Sequence, residues 1–112
     1  MAGGVVQLPW YATGFHGDDL AAALAQLAPI STRYGARRYE VFRGRDDRYK
    51  FLMSIVFDHH HDWDAFWFGE EFLDMRAACN GWYQVPLLYA WQDLVSYGEL
   101  REPVAAADEL EP

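Results

Sequence analysis

The sequence is short of cysteine, of basic charge and of long apolar segments, and each shortage excludes a class of protein. Cys79 is the only cysteine among 112 residues, so no disulfide can form within the chain. No stretch approaches the roughly 18 apolar residues of a membrane helix, and no signal peptide is visible. The net charge of −8 opposes binding to nucleic acid or to an anionic membrane. We therefore expect a cytoplasmic protein that binds neither.

Aromatic residues, by contrast, are abundant. Phe, Trp and Tyr number 7, 5 and 7, enough to build an aromatic core or an aromatic pocket. The length fits one domain. We expect that domain to span residues 1–98. The acidic remainder, residues 99–112, holds few large apolar residues and is predicted to be a disordered tail.

The centre of the sequence predicts a strand that is apolar on both faces, followed by a helix with an aromatic face. Residues 51–57 (FLMSIVF) are apolar on both faces, and such a strand needs cover on both sides. After the turn DHHHD, an i, i+3, i+4 stripe of Trp63, Phe66 and Trp67 marks one face of a helix. Gly69 interrupts this helix, and the acidic pair that follows favours a fresh helix start.

The remaining elements complete the order strand, helix, strand, strand, helix, strand. Strands are predicted at residues 5–13, 36–43, 51–57 and 83–91, and Asp18 and Asp62 are the predicted N-caps of the two helices. Pro29 either kinks the first helix or opens a second segment, and Gly35 ends it. Pro9 predicts a bulge or a local sheet edge. This order is the ferredoxin-like split βαβ arrangement, an α+β fold with an antiparallel four-stranded sheet.

Two helices can cover only one face of a four-stranded sheet. Since the third and fourth strands are apolar on both faces, the uncovered face needs a partner, and a second copy of the chain is the simplest one. We therefore expect a homodimer in which two sheets face each other as a dimeric α/β barrel.

The segments RYEVFRGRDDRYKFLMSIVFD and DWDAFWFGEEF resemble the dimeric α/β-barrel families and are most similar to the antibiotic-biosynthesis monooxygenase group, over roughly residues 5–95. The resemblance implies a pocket between sheet and helices. It also implies a cofactor-independent monooxygenase acting on a small hydrophobic aromatic or polyketide-like substrate. The alternatives are a non-catalytic protein that binds an apolar small molecule and a member of the fold without enzymatic activity.

The resemblance also implies site positions. Oxygenase members place an Asn and a Trp on the third strand, and these positions match Met53 and Phe57, which depart from the pattern. An aromatic residue at the head of the second helix matches Trp63, and an arginine further along matches Arg76. Haem-degrading members use a histidine on that helix, and residues 62–79 contain none, so neither haem nor another cofactor is expected.

Such an oxygenase relies on an electron-rich phenol or enol that reduces dioxygen once it is deprotonated. The protein supplies a dry slot, a base and donors for the developing charge. The predicted catalytic residues are Tyr39, Arg76 and Tyr11, and the predicted substrate-binding residues are Gln7, Trp63, Trp67, Met53 and Phe57. Tyr39 or Tyr11 could hold the substrate oxygen, and Arg76 could lower its pKa. For any one of these aromatic residues, packing in the core is favoured over lining a pocket. Of the two tryptophans, we expect Trp63 to line the pocket and Trp67 to pack as core.

Two polar clusters complete the inventory. In the run of three histidines, only the side chains of His59 and His61 can point to the same place, so no metal site is predicted. A solvated turn is favoured, and a catalytic base at the pocket mouth is the alternative. Seven of the nine basic residues lie in residues 33–50. Charge there suits an exposed sheet edge, and an anion site is the alternative.

Overall fold

The strands and helices follow the predicted order in the computed structural model, which describes residues 3–100. The elements are β1 (Gly4–Tyr11), α1 (Gly17–Leu27), a 3₁₀ helix (Ala28–Tyr34), β2 (Ala36–Arg43), β3 (Lys50–Phe57), α2 (His60–Trp67), α3 (Glu70–Ala78) and β4 (Ala90–Gln92). The sheet is antiparallel, in the order β2-β3-β1-β4. From residue 101 onward, the predicted tail lies outside the described residues. No helix within residues 3–100 is long and apolar enough to cross a bilayer.

The helices cover one face of the sheet. On β3 that face carries Phe51, Met53, Ile55 and Phe57, each at most 4% exposed. β1 pairs with β3 in continuous register and adds Val6, Leu8 and Trp10 to the same buried layer. Residues 52, 54 and 56 of β3 point to the opposite face and are partly exposed. We call that opposite side the open face. One buried and one open side is the predicted architecture.

The predicted interruptions of the helices are confirmed. Pro29 opens a second segment, the 3₁₀ helix, and Gly35 ends it with a φ of 103° that side chains disfavour. Gly69 separates α2 from α3, and α3 begins at Glu70, where the acidic side chains lie in the first turn.

Both predicted N-caps are wrong. α1 begins at Gly17, one residue before Asp18, and the Asp18 carboxylate accepts a hydrogen bond from Arg43 at 2.8 Å. α2 begins at His60, and Asp62 lies in its first turn. Asp62 packs against Gly35, where an added Cβ would come within 2.7 Å of its Oδ2. Both carboxylates still lie near a positive helix end, where the helix dipole favours them.

The fourth strand is much shorter than predicted. Only Ala90–Gln92 pair with β1, opposite residues 5–7, while residues 84–89 form no regular structure. Pro86 cannot donate a ladder hydrogen bond, and Leu87 packs onto the core instead. β1 is therefore a sheet edge at Pro9 on the β4 side, which agrees with the local edge predicted there.

Tyr34 links the 3₁₀ helix to α3. Its hydroxyl donates to Glu71 Oε1 at 2.5 Å, and Arg33 lies 3.6 Å from the other carboxylate oxygen. The hydrogen bond from Tyr34 lowers the pKa of Glu71 and raises the pKa of Tyr34. A carboxylate whose pKa is lowered by folding stabilises the fold above its unfolded pKa, and this contribution is lost as the pH falls through the folded pKa.

We predict that Tyr34→Phe destabilises the protein near pH 7 and that the difference from wild type shrinks in acid. Once Glu71 is protonated, below its ordinary pKa of about 4.3, the wild type no longer benefits from the bond to its carboxylate. Urea unfolding of both proteins across this range measures the difference. A loss of stability that stays constant with pH would contradict the assignment.

Candidate functional site

A group of aromatic rings fills the space between the sheet and the helices. We call this group the aromatic cluster: Trp10, Phe57, Trp63, Phe66, Trp67, Phe72, Tyr83 and Tyr89. Phe72 of α3 lies near its centre. The Phe72 ring centroid is 5.1 Å from those of Phe66 and Trp67, 6.2 Å from that of Trp10 and 6.4 Å from that of Trp63. Tilted and edge-on pairs of this kind are favourable ring arrangements.

The two tryptophans of α2 differ in burial. Trp63 is fully buried, with its ring centroid 4.9 Å from that of Tyr89 and 5.3 Å from that of Trp67. Trp67 is partly exposed at the margin, where the Arg76 guanidinium covers it. The sequence placed Trp67 as core and Trp63 as the pocket wall, whereas Trp63 is the more deeply packed of the two.

Three buried N–H groups in this region have no hydrogen-bond partner among residues 3–100: Trp10 Nε1, Trp63 Nε1 and Arg76 Nε. Leaving a buried donor unpaired costs about 1–3 kcal/mol, so such groups are rare in native proteins and require an explanation. All three side chains flank the Phe72 ring, and the Arg76 Cζ lies 4.8 Å from its centroid. Their common location suits the recognition of a ligand oxygen.

Arg76 is the charged group of the site. It lies in the last turn of α3, donates from an η nitrogen to the Trp67 carbonyl at 2.9 Å, and holds Cζ 4.3 Å from the Trp67 ring centroid. Within the described part of the chain Arg76 forms no ion pair, so its charge is balanced only by aromatic faces. In a partly buried setting this charge favours an anion more strongly than it would in water.

The structure brings together most of the predicted site residues. Met53, Phe57, Trp63, Trp67 and Arg76 all lie on the helix side of the sheet. Tyr39 also faces that side, because it pairs with Ile55, although it is 38% exposed on the edge strand β2.

Gln7 and Tyr11 lie on the open face, away from this group. The Tyr11 hydroxyl donates to Asp47 Oδ2 at 2.7 Å, and this bond raises the pKa of Tyr11. Gln7 Oε1 is 3.5 Å from Gln92 Nε2. Neither side chain shares a site with Arg76 in this chain.

Sequence reasoning gave no role in the site to five members of the aromatic cluster: Trp10, Phe66, Phe72, Tyr83 and Tyr89. Trp10 lies in the predicted first strand, and Phe66 belongs to the predicted stripe of the second helix. Tyr83 and Tyr89 were assigned to a strand. The strand period could not reveal that residues 84–89 leave the sheet and place Tyr89 on the tryptophans of α2.

Two surface depressions lie on the open face. One of about 490 Å³ is lined by Pro9, Phe42 and Leu52 beside the β2–β3 hairpin, and one of about 480 Å³ is lined by Val5, Val56 and Leu94. Trp63, Phe66 and Phe72 of the aromatic cluster are fully buried, so a ligand that reaches their rings must displace a side chain.

The histidine turn precedes and begins α2. His60 Nδ1 lies 3.2 Å from Asp64 Oδ2, and its ring packs edge-on against Trp91 at 4.8 Å, while His59 and His61 stack on each other at 5.2 Å. Within residues 3–100, no three potential metal ligands come together. These contacts tie the start of α2 to β4.

Comparison with known proteins identifies the fold. No family model matches the chain, and no curated protein matches it. A proposed antibiotic biosynthesis monooxygenase from Nitrosomonas europaea superposes with a TM-score of 0.75 at 16% identity, covering 83% of this chain and 90% of that one. The fold is that of the antibiotic biosynthesis monooxygenases.

Two further solved structures show how broadly this fold is used. SnoaB, a cofactor-independent oxygenase from Streptomyces nogalater, has a TM-score of 0.70 at 16% identity and covers 91% of this chain and 100% of its own. A protein of unknown function from Bacteroides thetaiotaomicron has a TM-score of 0.69 at 12% identity, with coverages of 80% and 97%. Likeness at this identity establishes the fold, and function must be argued from the site.

We predict that Trp63→Ala lowers the urea midpoint of unfolding more than Trp67→Ala does. Removing a fully packed indole costs about 3–5 kcal/mol, whereas Trp67 is partly exposed and loses fewer contacts. Equal losses in the two variants would mean that the aromatic cluster is looser around Trp63 than its burial indicates.

We also predict that the histidine turn adds little to stability. Replacing His59, His60 and His61 together with Gln should change the free energy of unfolding by less than about 1 kcal/mol, because exposed ion pairs contribute little. Thermal unfolding with and without zinc checks this. A large zinc-dependent rise in the wild-type melting temperature, absent from the triple variant, would show a metal site instead.

Proposed function

We propose that the chain is a cofactor-independent, monooxygenase-like enzyme that acts on a small, electron-rich aromatic or polyketide-like substrate within the aromatic cluster. The observation that carries the proposal is the placement of two indole N–H groups without a partner among residues 3–100, and of the Arg76 guanidinium, which forms no ion pair there, around the Phe72 ring. The fold shared with a cofactor-independent oxygenase supports it.

Each predicted residue on the helix side then has a role. Met53 and Phe57 of β3 form the apolar floor, and Trp63 and Trp67 contact the substrate ring. Arg76 stabilises the ionised substrate oxygen and lowers its pKa. Tyr39, which faces the helix side from the edge strand β2, is the proposed hydroxyl that holds this oxygen.

The reaction needs no external reductant. Loss of a proton from a CH₂ group conjugated to the ionised oxygen leaves an electron-rich carbon, which transfers electrons to dioxygen and forms a carbon–oxygen bond. The resulting hydroperoxide loses water and leaves a carbonyl group. One oxygen atom enters the product and the other leaves as water, so the substrate supplies all the electrons. The enzyme contributes a dry cavity and fixed donors.

A second candidate is a binding protein without chemistry. It is favoured by Met53 and Phe57, which place apolar side chains where oxygenases of this fold carry polar or indole groups. Without an amide at position 53, dioxygen and substrate lack one orienting contact. Oxygen consumption separates the two functions, because a binding protein holds the ligand and consumes none.

We predict that an electron-rich phenol bearing a conjugated CH₂ group supports oxygen uptake by the wild type, with one labelled atom from dioxygen found in the product. Arg76→Gln should weaken binding of the phenol by about tenfold or more, because a hydrogen bond to a charged group contributes about 1.5–3 kcal/mol. The matched control is Arg37→Gln, which removes a surface arginine that pairs with Asp58 at 2.8 Å.

Two results would count against this function. If the phenol binds but no oxygen is consumed, the binding-protein function remains and the oxygenase function is excluded. If Arg76→Gln and Arg37→Gln bind the phenol with equal affinity, the Arg76 guanidinium takes no part in binding.

We further propose that the chain works as a homodimer joined through the open face. That face carries Val5, Leu52 and Val56 along its centre, with Phe42 52% exposed beside them. Stable dimer interfaces bury on the order of 1,600 Å² in total, and a four-stranded sheet face can supply its share. Gln7 and Tyr11 would then lie in the interface.

We predict that the wild type scatters light as a dimer at micromolar concentration and that Leu52→Glu makes it a monomer, because a charge would be buried in the centre of the interface. Leu73→Glu is the matched control, since Leu73 is 47% exposed on α3, on the helix side. A monomeric wild type, or equal dissociation in both variants, would contradict the interface.

A further inference from the structure

Tyr89 occupies an unusual place for a residue outside regular structure. Its ring centroid is 4.9 Å from that of Trp63 and 5.2 Å from that of Trp67, edge-on to both at 65° and 61°. The residue is nevertheless 37% exposed, so the same ring contacts a fully buried indole and solvent. It forms the outer wall of the aromatic cluster.

The segment that carries Tyr89 is lightly attached. Gln84 N donates to Tyr11 O at 2.9 Å at one end, and the three-residue strand β4 begins at the other. Between them, residues 85–89 make no backbone hydrogen bond within the described part of the chain. Val85 and Leu88 are 74% and 70% exposed. Segments with few buried contacts and few backbone hydrogen bonds open at the low end of the stability range.

The groups beneath Tyr89 are those that lack partners. Trp63, which Tyr89 covers, holds a buried Nε1 without an acceptor. Trp67, the other ring that Tyr89 contacts, lies under the guanidinium of Arg76, which forms no ion pair within residues 3–100 and holds Cζ 4.3 Å from the Trp67 ring centroid. Removing the Tyr89 ring would therefore expose an aromatic slot with an N–H donor and a cation at its walls.

We propose that Tyr89 is a displaceable plug that occupies the ring subsite of the ligand. Its phenol ring marks the size of the ligand ring that replaces it, and the neighbouring N–H and guanidinium favour an oxygen on that ring, so the class of ligand is a phenol-sized ring bearing an ionisable oxygen. This proposal rests on the proposed function in assigning the site to the aromatic cluster. It adds the route of entry, through the segment of residues 84–89, and the residue that selects for ring size.

The test uses p-cresol, which is the tyrosine side chain without its backbone, and toluene, which lacks the oxygen. The wild type should bind p-cresol with quenching of tryptophan fluorescence. Tyr89→Ala should bind it at least tenfold more tightly, because no side chain has to be displaced. Tyr49→Ala is the matched control, since Tyr49 is also 37% exposed but lies outside the cluster, against Tyr11. Equal affinity in wild type and Tyr89→Ala would overturn the plug.

A second measurement keeps the proposal falsifiable if Tyr89→Ala does not fold. In wild-type protein labelled with ring-fluorinated tyrosine, the Tyr89 fluorine resonance, assigned with Tyr89→Phe, should move toward the value of the free amino acid on addition of p-cresol. The Tyr49 resonance should not move. A ligand that binds while the Tyr89 resonance stays in place would show entry by another route.

The plug and the proposed function fail separately. If Tyr89→Ala tightens p-cresol binding but no phenol supports oxygen uptake, the plug proposal is supported and the oxygenase function is contradicted. If phenols are oxidised while Tyr89→Ala leaves the affinity unchanged, the oxygenase function is supported and the plug proposal is contradicted. Preference of Tyr89→Ala for p-cresol over toluene supports a subsite that recognises the oxygen, and equal affinity for both would overturn that part of the proposal.

Discussion

The packing of the Trp63 indole inside the aromatic cluster is the interaction on which the rest of the structure depends. Trp63 joins β3 through Phe57, α3 through Phe72 and the β4 approach through Tyr89, with centroid distances of 6.2, 6.4 and 4.9 Å. Few other side chains could span these elements, because an indole presents a large rigid surface at little cost in conformational entropy. Its N–H has no partner among the residues that the structure describes. The same residue is therefore both the centre of the packing and the donor on which the candidate site is built.

The sheet has a similar double character. β3 is buried on the face that meets the helices, and it is also apolar on the face that does not. The single chain therefore covers only one of the two sheet faces that its sequence marks for burial. The helix side holds Arg76 and the tryptophans, and the open face holds Gln7 and Tyr11. The proposed site and the proposed dimer interface thus lie on opposite sides of one sheet, so the dimer can form without closing the site.

Much of the fold could be predicted from the sequence because local signals and tertiary packing agree. The alternation of residues 51–57, the left-handed turn at Gly35 and the break at Gly69 each have a local cause. The failures arose where long-range contacts decide. Asp18 lies in the first turn of α1 and accepts a hydrogen bond from Arg43 instead of capping the helix. Residues 84–89 alternate like a strand, but Tyr89 packs on the tryptophans of α2 instead of pairing. In the candidate site, Trp63 and Arg76 could be predicted from the sequence of α2 and α3. Trp10 and Tyr89 could not, because only the three-dimensional fold brings them to the site.

The central claim is that the aromatic cluster receives a ligand oxygen at donors that the chain itself leaves unpaired. The most direct measurement is the set of indole N–H resonances in a nitrogen–proton correlation spectrum, since the chain has five tryptophans. On addition of p-cresol, the account predicts that the Trp63 resonance shifts downfield as its proton gains an acceptor, while those of Trp82 and Trp91 stay in place. A Trp63 indole resonance that remains unchanged at saturating ligand would contradict the account and identify the cluster as core alone.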